Sequence, residues 1–200
     1  MRKSGSGTEQ ERQREFLALL MPFYPRALAY SQTICGSLID GEDLLSDAVL
    51  RAYASFHTLR DTSRFKEWFF SILLNRFRNL RSRTLLRPTM LMGDLAGSST
   101  FWEATARVSG DPAELGYQLT LVQELLRRLN PPEREVLLLL GPCGFTPAEV
   151  ASMQGSSERA VIQKAYRARK KLEKMVPDGA LPFNVRSQAA TPAPLEAGNE

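Results

Sequence analysis

The sequence predicts an all-α protein of two small helical domains, and three observations carry that expectation. Nearly every periodic segment repeats its apolar residues at helical spacing, and no stretch alternates as a strand would. Three helix starts share one signal, DPAE at 111, NPPE at 130 and TPAE at 146. Each offers an N-cap side chain, a proline in the first turn where no N–H is missed, and a glutamate at N3. Between 87 and 111 the periodicity lapses into Gly, Ser and Thr, which divides the chain in two.

Taken in order, residues 1–8 read as a disordered N-terminus, and TEQE at 8 as a capping box opening a helix over 9–36 that bends near Pro22 and Pro25. DGED at 40 reads as the start of a helix over 41–56. Its buried stripe is Leu45, Ala48, Val49, Ala52 and Phe56, which leaves Asp43, Asp47, Leu50, Arg51 and Ala54 pointing away. The polar loop HTLRDTSR (57–64) leads into a helix over 64–86. There Phe65, Phe69, Ile72, Leu73, Phe77 and Leu80 make one broad core face, and Arg78 and Arg81 lie opposite it beside Phe70 and Leu74, flanked by Asn75 and Asn79. These elements make a first domain over 9–86. The linker over 87–111 has 24 residues after Arg87, which reach at most ~80 Å when fully extended. Helices at about 112–129, 131–141, 147–154 and 157–175 make a second domain over 112–176. From 177 to 200 the chain is rich in Pro, Ala and small polar residues and reads as a disordered tail.

Charge narrows the function. The net charge is only +4, yet residues 60–87 and 158–175 hold 15 of the 26 basic side chains. Two separated basic helices suit a polyanion, most plausibly nucleic acid. No apolar run approaches the ~20 residues of a membrane span, and MRKSGSGTEQ lacks the apolar region of a signal peptide, so a cytoplasmic protein is expected. Cys35 and Cys143 with the lone His57 cannot complete a four-ligand zinc site, and in that compartment both read as buried free thiols. With no glycine-rich phosphate loop and no nucleophile–base pair, the expectation is no catalytic residue, metal, cofactor or small-molecule substrate.

The segment TPAEVASMQGSSERAVIQKAYRARKKL has the helix-turn-helix layout: a short capped helix, a turn around Gly155 and a longer basic helix. Val161, Ala165, Ala168 and Leu172 form one stripe of mostly small residues, and Arg159, Gln163, Tyr166, Arg167 and Lys170 project from the opposite side. Amide and guanidinium groups near the start of such a helix suit base edges, so Arg159 and Gln163 are the expected readers, while Lys164, Arg167 and Lys170 hold phosphates. In the first domain, Arg60 and Arg64 of the loop with Asn75, Arg78, Asn79 and Arg81 offer cations beside amides, a surface suited to a strand with exposed bases.

In order and spacing, EDLLSDAVLRAY, the WFFSILLNR core of the third helix, and LNPPEREVLLL before the helix-turn-helix resemble the extracytoplasmic-function sigma factors of the sigma-70 family, from about residue 12 to residue 175. The resemblance implies regions 2 and 4 of that family and a dissociable subunit of bacterial core RNA polymerase. It further implies that the first domain binds the polymerase clamp and the melted −10 strand, and that the second reads the −35 duplex of promoter DNA. An anti-sigma factor is implied as a further partner. The sequence departs from the family's pattern at Ile162 and Gln163, which bears on promoter preference and not on DNA binding. Leu50, set among Asp43, Asp47 and Arg51, is an apolar group within a charged rim and is the expected anchor on polymerase. The alternatives are a polymerase-independent helix-turn-helix regulator, or a sigma mimic that sequesters a regulator.

Overall fold

Among the residues that the computed structural model describes, 5–84, 122 and 124–175, all regular structure is helical. The expected linker, tail and DPAE start, with most of the 112–129 helix, lie outside them. α1 (Gly5–Leu20) and α2 (Tyr24–Cys35) are two helices and not one bent rod. Pro22 has no N–H to give and Pro25 restricts the residue before it, so the chain turns over 21–23 and restarts with Pro25 in the first turn of α2. α1 begins ahead of the TEQE box, so Thr8 lies within it and 5–8 are helical where the sequence predicts disorder. No proline precedes Thr8 to stop the helix there.

α2 ends at Gly36, whose left-handed backbone (φ 73°) suits glycine. Ser37 then caps α3 (Leu38–Ser55), its side chain accepting from the Asp40 amide at 3.2 Å. α3 thus starts before DGED, and Gly41 falls inside it. There α2 comes so near that a Cβ would lie 2.5 Å from the Gln32 amide nitrogen. Two 3₁₀ turns, Phe56–Thr58 and Thr62–Arg64, lead to α4 (Phe65–Thr84). The four helices close on an aromatic core in which Phe16 meets Tyr53, Phe56 and Phe65 edge-on at 5.3, 5.4 and 5.4 Å.

In the C-terminal half, helical residues 124–128 precede α5 (Pro131–Leu140), α6 (Pro147–Gln154) and α7 (Glu158–Met175). Both expected capping boxes form, Asn130 with Glu133 and Thr146 with Glu149. Leu126, Val136, Leu139, Val150, Val161 and Leu172 are buried together. Cys35, half-buried, and Cys143, buried, are free thiols that burial pushes up to about 12, so neither is a thiolate at neutral pH.

The two halves share a core. α4 packs on α6 and α2 on α5. Phe70 and Leu74, which the sequence puts on the outward side of α4, are wholly buried. Phe70 meets Phe145 edge-on at 4.9 Å. Lys66 donates through Nζ to the Cys143 carbonyl at 2.6 Å, and the same atom lies 4.2 Å from the centre of the Phe145 ring. Lys66, Phe70, Leu74 and Arg78 recur every four residues, so they form a second stripe one residue, about 100°, round the helix from Phe65, Phe69 and Leu73. One domain alone has no partner for it. The other domain supplies one.

Phe70→Ala is therefore expected to cost ~3–5 kcal/mol, as for a buried ring, read by equilibrium urea unfolding. A loss below ~0.5 kcal/mol, as at an open surface, would return Phe70 to the outside of α4.

Candidate nucleic-acid interface

α6, the turn at Gly155 and α7 build the helix-turn-helix. Gly155 ends α6 in left-handed backbone (φ 60°) and its N–H reaches the Ala151 and Ser152 carbonyls. Ser157 caps α7, its hydroxyl accepting from the Ala160 amide at 3.2 Å. The expected stripe of Val161, Ala165, Ala168 and Leu172 is buried, and these mostly small side chains let α7 sit close on α5 and α6. Lys171 donates to Glu133 at 2.6 Å, which ties α7 to the cap of α5.

On the far side of α7, Arg159, Gln163, Tyr166, Arg167 and Lys170 are all exposed. Lys170 also pairs with Glu173 at 3.0 Å. Lys164 departs from the expectation. It is half-buried and donates to Gln154 Oε1 at 3.3 Å. The reason is its register: three residues after Val161 and one before Ala165, it borders the buried stripe, so its stem runs along α6.

The surface around α4 is more mixed. Arg60, Arg64, Asn75, Asn79 and Arg81 are exposed. Arg64 is turned onto Glu67 at 2.9 Å. Asp61 accepts from the Ser63 hydroxyl at 2.6 Å and amide at 3.0 Å, and these bonds hold its carboxyl below the ordinary range. His57 sits in the loop, its Nδ1 3.1 Å from the Ala54 carbonyl oxygen. Arg78 is the exception to an open cationic face: it is half-buried and pairs with Glu135 at 2.5 Å. Its partner lies 57 residues away, beyond any local pattern.

On α3, Asp43, Leu50 and Arg51 are exposed, Leu50 at 71%. Asp47 accepts from Arg51 at 2.8 Å and pairs also with Arg76 of α4, so it holds two helices together besides bordering Leu50. Ile39, 73% exposed, stands three turns before Leu50 on the same side. A helix started at 41 misses it, and Ser37 as the N-cap would have found it. Among the described residues no group of three or more His, Cys, Asp or Glu could hold a metal ion, and no helix is long and apolar enough to cross a membrane.

Two family descriptions match the chain, Sigma-70 region 2 over residues 19–85 and Sigma-70, region 4 over 119–172. It is similar to the ECF RNA polymerase sigma factor SigG of Mycobacterium tuberculosis, 30% identical over an alignment of length 198 that covers 88% of this chain and 53% of that protein. The chain thus spans about half the length of that relative. It is also similar to the RNA polymerase sigma factor NccH of Alcaligenes xylosoxydans xylosoxydans, 31% identical over an alignment of length 135 that covers 66% of this chain and 71% of that one. Two solved structures share the fold. CnrH in complex with the cytosolic domain of CnrY has a TM-score of 0.58 at 24% identity, covering 82% of this chain and 88% of that one. The sigma factor RpoE in complex with the anti-sigma factor NepR, from Bartonella quintana, has 0.58 at 21% identity, covering 84% and 96%.

A Cβ at Gly155 would meet nothing within 4 Å, so its replacement meets only backbone strain. Gly155→Ala is expected to lower stability by ~1–2 kcal/mol, measured by urea unfolding. An unchanged midpoint would mean that this turn is not held in the left-handed region.

Proposed function

The chain belongs to the sigma-70 family, as an extracytoplasmic-function sigma factor, and on that premise we propose that it directs bacterial core RNA polymerase to specific promoters. In this reading residues 9–86 bind polymerase and capture the melted −10 strand, and residues 112–176 read the −35 duplex. The observation that carries it is the paired construction of α7. A buried stripe seats the helix, and Arg159, Gln163 and Arg167 stand exposed opposite it. Such a face suits a major groove, amide and guanidinium groups meeting base edges and cations meeting phosphates. Arg60, Arg64, Asn75, Asn79 and Arg81 support the −10 assignment by their exposure; Arg78 joins them once freed from Glu135. The exposed Leu50, with Asp43, Asp47 and Arg51 around it, supports polymerase docking through α3, and Ile39 extends that apolar surface.

The protein works in the cytoplasm and has no reaction of its own in this account. Its relatives RpoE and CnrH were each solved with a protein partner, for RpoE the anti-sigma factor NepR. We extend an anti-sigma partner to this chain.

Run-off transcription with purified core polymerase tests the role directly. Promoter-specific transcripts are expected only when the chain is added, and their absence would favour a regulator that binds duplex unaided. Within the −35 assignment, Arg159→Ala is expected to cost ~1–3 kcal/mol at the cognate site and relax preference there, whereas Lys170→Ala weakens all sequences about equally. Equal profiles across a promoter library would overturn the division of labour. Leu50→Ala should change stability by less than ~0.5 kcal/mol, yet lose more than ~1 kcal/mol of affinity for core polymerase. A thermal melt and a titration with labelled core enzyme read the two effects, and unchanged affinity would remove Leu50 as the anchor.

A further inference from the structure

We propose that α7 reads duplex DNA with two ridges, and that the second, Ile162 with Tyr166, selects thymine through its C5-methyl group. The proposal rests on the −35 reading above and deepens it. Along a helix face, residues four apart line up as ridges. Arg159, Gln163 and Arg167 make one such row, already assigned to base edges and phosphate. Ile162, Tyr166 and Lys170 make the next, and each member stands three residues from a member of the first, as its neighbour on the helix surface. Ile162 is half-buried beside the packed stripe, whereas Tyr166 is 59% exposed. Among the described residues of the C-terminal half, Tyr166 is the one large apolar or aromatic side chain left so open. The Lys170 Nζ lies 5.9 Å from the centre of the Tyr166 ring and also pairs with Glu173. The row therefore runs from aliphatic to aromatic to cationic along the helix.

The width of the groove brings this row to the bases. A major groove is about 12 Å wide, and a helix with its side chains is about 10–12 Å across. A helix that lays Arg159 and Gln163 on base edges carries the adjoining row into the same groove. The code on that groove floor consists of donors and acceptors, apart from the thymine C5-methyl. An aliphatic side chain and a ring face answer no donor or acceptor, but they suit a methyl. Ile162 and Tyr166 are four residues apart, a rise of about 6 Å, close to two base steps at about 3.4 Å each. The row thus covers one or two adjacent thymines, and Lys170 beyond them stays with phosphate. Gln163 and Arg167, packed between the same residues, keep the ridge from standing as an isolated apolar patch.

The test uses the full chain as wild type, Tyr166→Ala, Tyr166→Phe and Ile162→Ala. A preferred site is selected from duplexes with a randomised window, once by the chain alone and once with core polymerase. Each thymine of that site is then replaced by deoxyuridine, which lacks only the C5-methyl. The wild type should lose about fourfold in affinity at one or two adjacent thymines, the worth of one buried methyl group. Tyr166→Ala should bind thymine and deoxyuridine alike at a position where the wild type discriminates, and Ile162→Ala likewise at the same or the next position. Tyr166→Phe keeps the ring and should discriminate as the wild type does. Tyr166→Ala keeps the test sound even if Ile162→Ala lowers stability, because so exposed a side chain changes folding little. A selected site without thymine, no deoxyuridine effect in the wild type, or an undiminished effect in Tyr166→Ala would overturn the second ridge. So would a Tyr166→Ala variant that keeps the methyl effect and loses affinity for core polymerase, which would make the row a protein contact. Selection and substitution also work without polymerase. A chain that reads thymine methyls yet supports no run-off transcript would sink the promoter role and leave the ridge standing.

Discussion

The structure depends on α4 having two apolar stripes one residue apart. Phe65, Phe69 and Leu73 face the core made with α1–α3, while Phe70 and Leu74 lie on the adjoining stripe toward the C-terminal half, all fully or almost fully buried. Each such side chain contributes about 1.5–3 kcal/mol on leaving water. Polar groups at the edges then set register without supplying most of the stabilisation. Arg76 answers Asp47 on the α3 side, and Arg78 answers Glu135 on the other. Among its described side chains, α4 leaves Asn75, Asn79, Arg81 and Ser82 to solvent.

The C-terminal half fixes its reading helix by a different device, adjacent residues of α5 with opposite tasks. Glu133 completes the box with Asn130 and also accepts from Lys171, so the start of α5 and the end of α7 are held by one carboxylate. Arg134 turns the other way and donates to the Leu126, Arg127 and Leu129 carbonyls, the orphan acceptors at the end of the preceding helix. Burial, then the neighbouring Arg127 and Arg81, lowers its pKa, yet the group stays cationic because arginine starts so high. α7 is thereby held at both ends, by Ser157 at its cap and by Lys171 near its last turn, while the face between them stays open.

Apolar and polar contacts divide the work at the seam between the halves. Phe70 against Phe145 gives the seam cohesion, and Arg78, Glu135, Gln154 and Lys164 give it specificity. Charged hydrogen bonds at a partly wet seam are sensitive to competing anions, whereas the aromatic contacts inside each half are not.

Sequence by itself determined the helices and their ends wherever the signal was local. NPPE and TPAE cap as read, α6 falls where its box and Gly155 put it, and the stripe of Val161, Ala165, Ala168 and Leu172 is buried because periodicity and side-chain size are properties of neighbouring residues. The outward positions of Arg159, Gln163, Arg167 and Leu50 follow from the same periodicity. Local competition was harder to read: Ser37 displaces Asp40 as a cap, and with it the chance to see Ile39. Only the tertiary structure decided the second face of α4. A wheel drawn for one domain puts Phe70 and Leu74 outside and leaves Arg78 free, because the groups that cover them, Phe145 and Glu135, lie more than 50 residues along the chain. Lys164 belongs with these, since its partner is set by how α6 packs on α7. Burial and pairing across that much chain are decided by which surfaces meet, and helical periodicity carries no record of the partner.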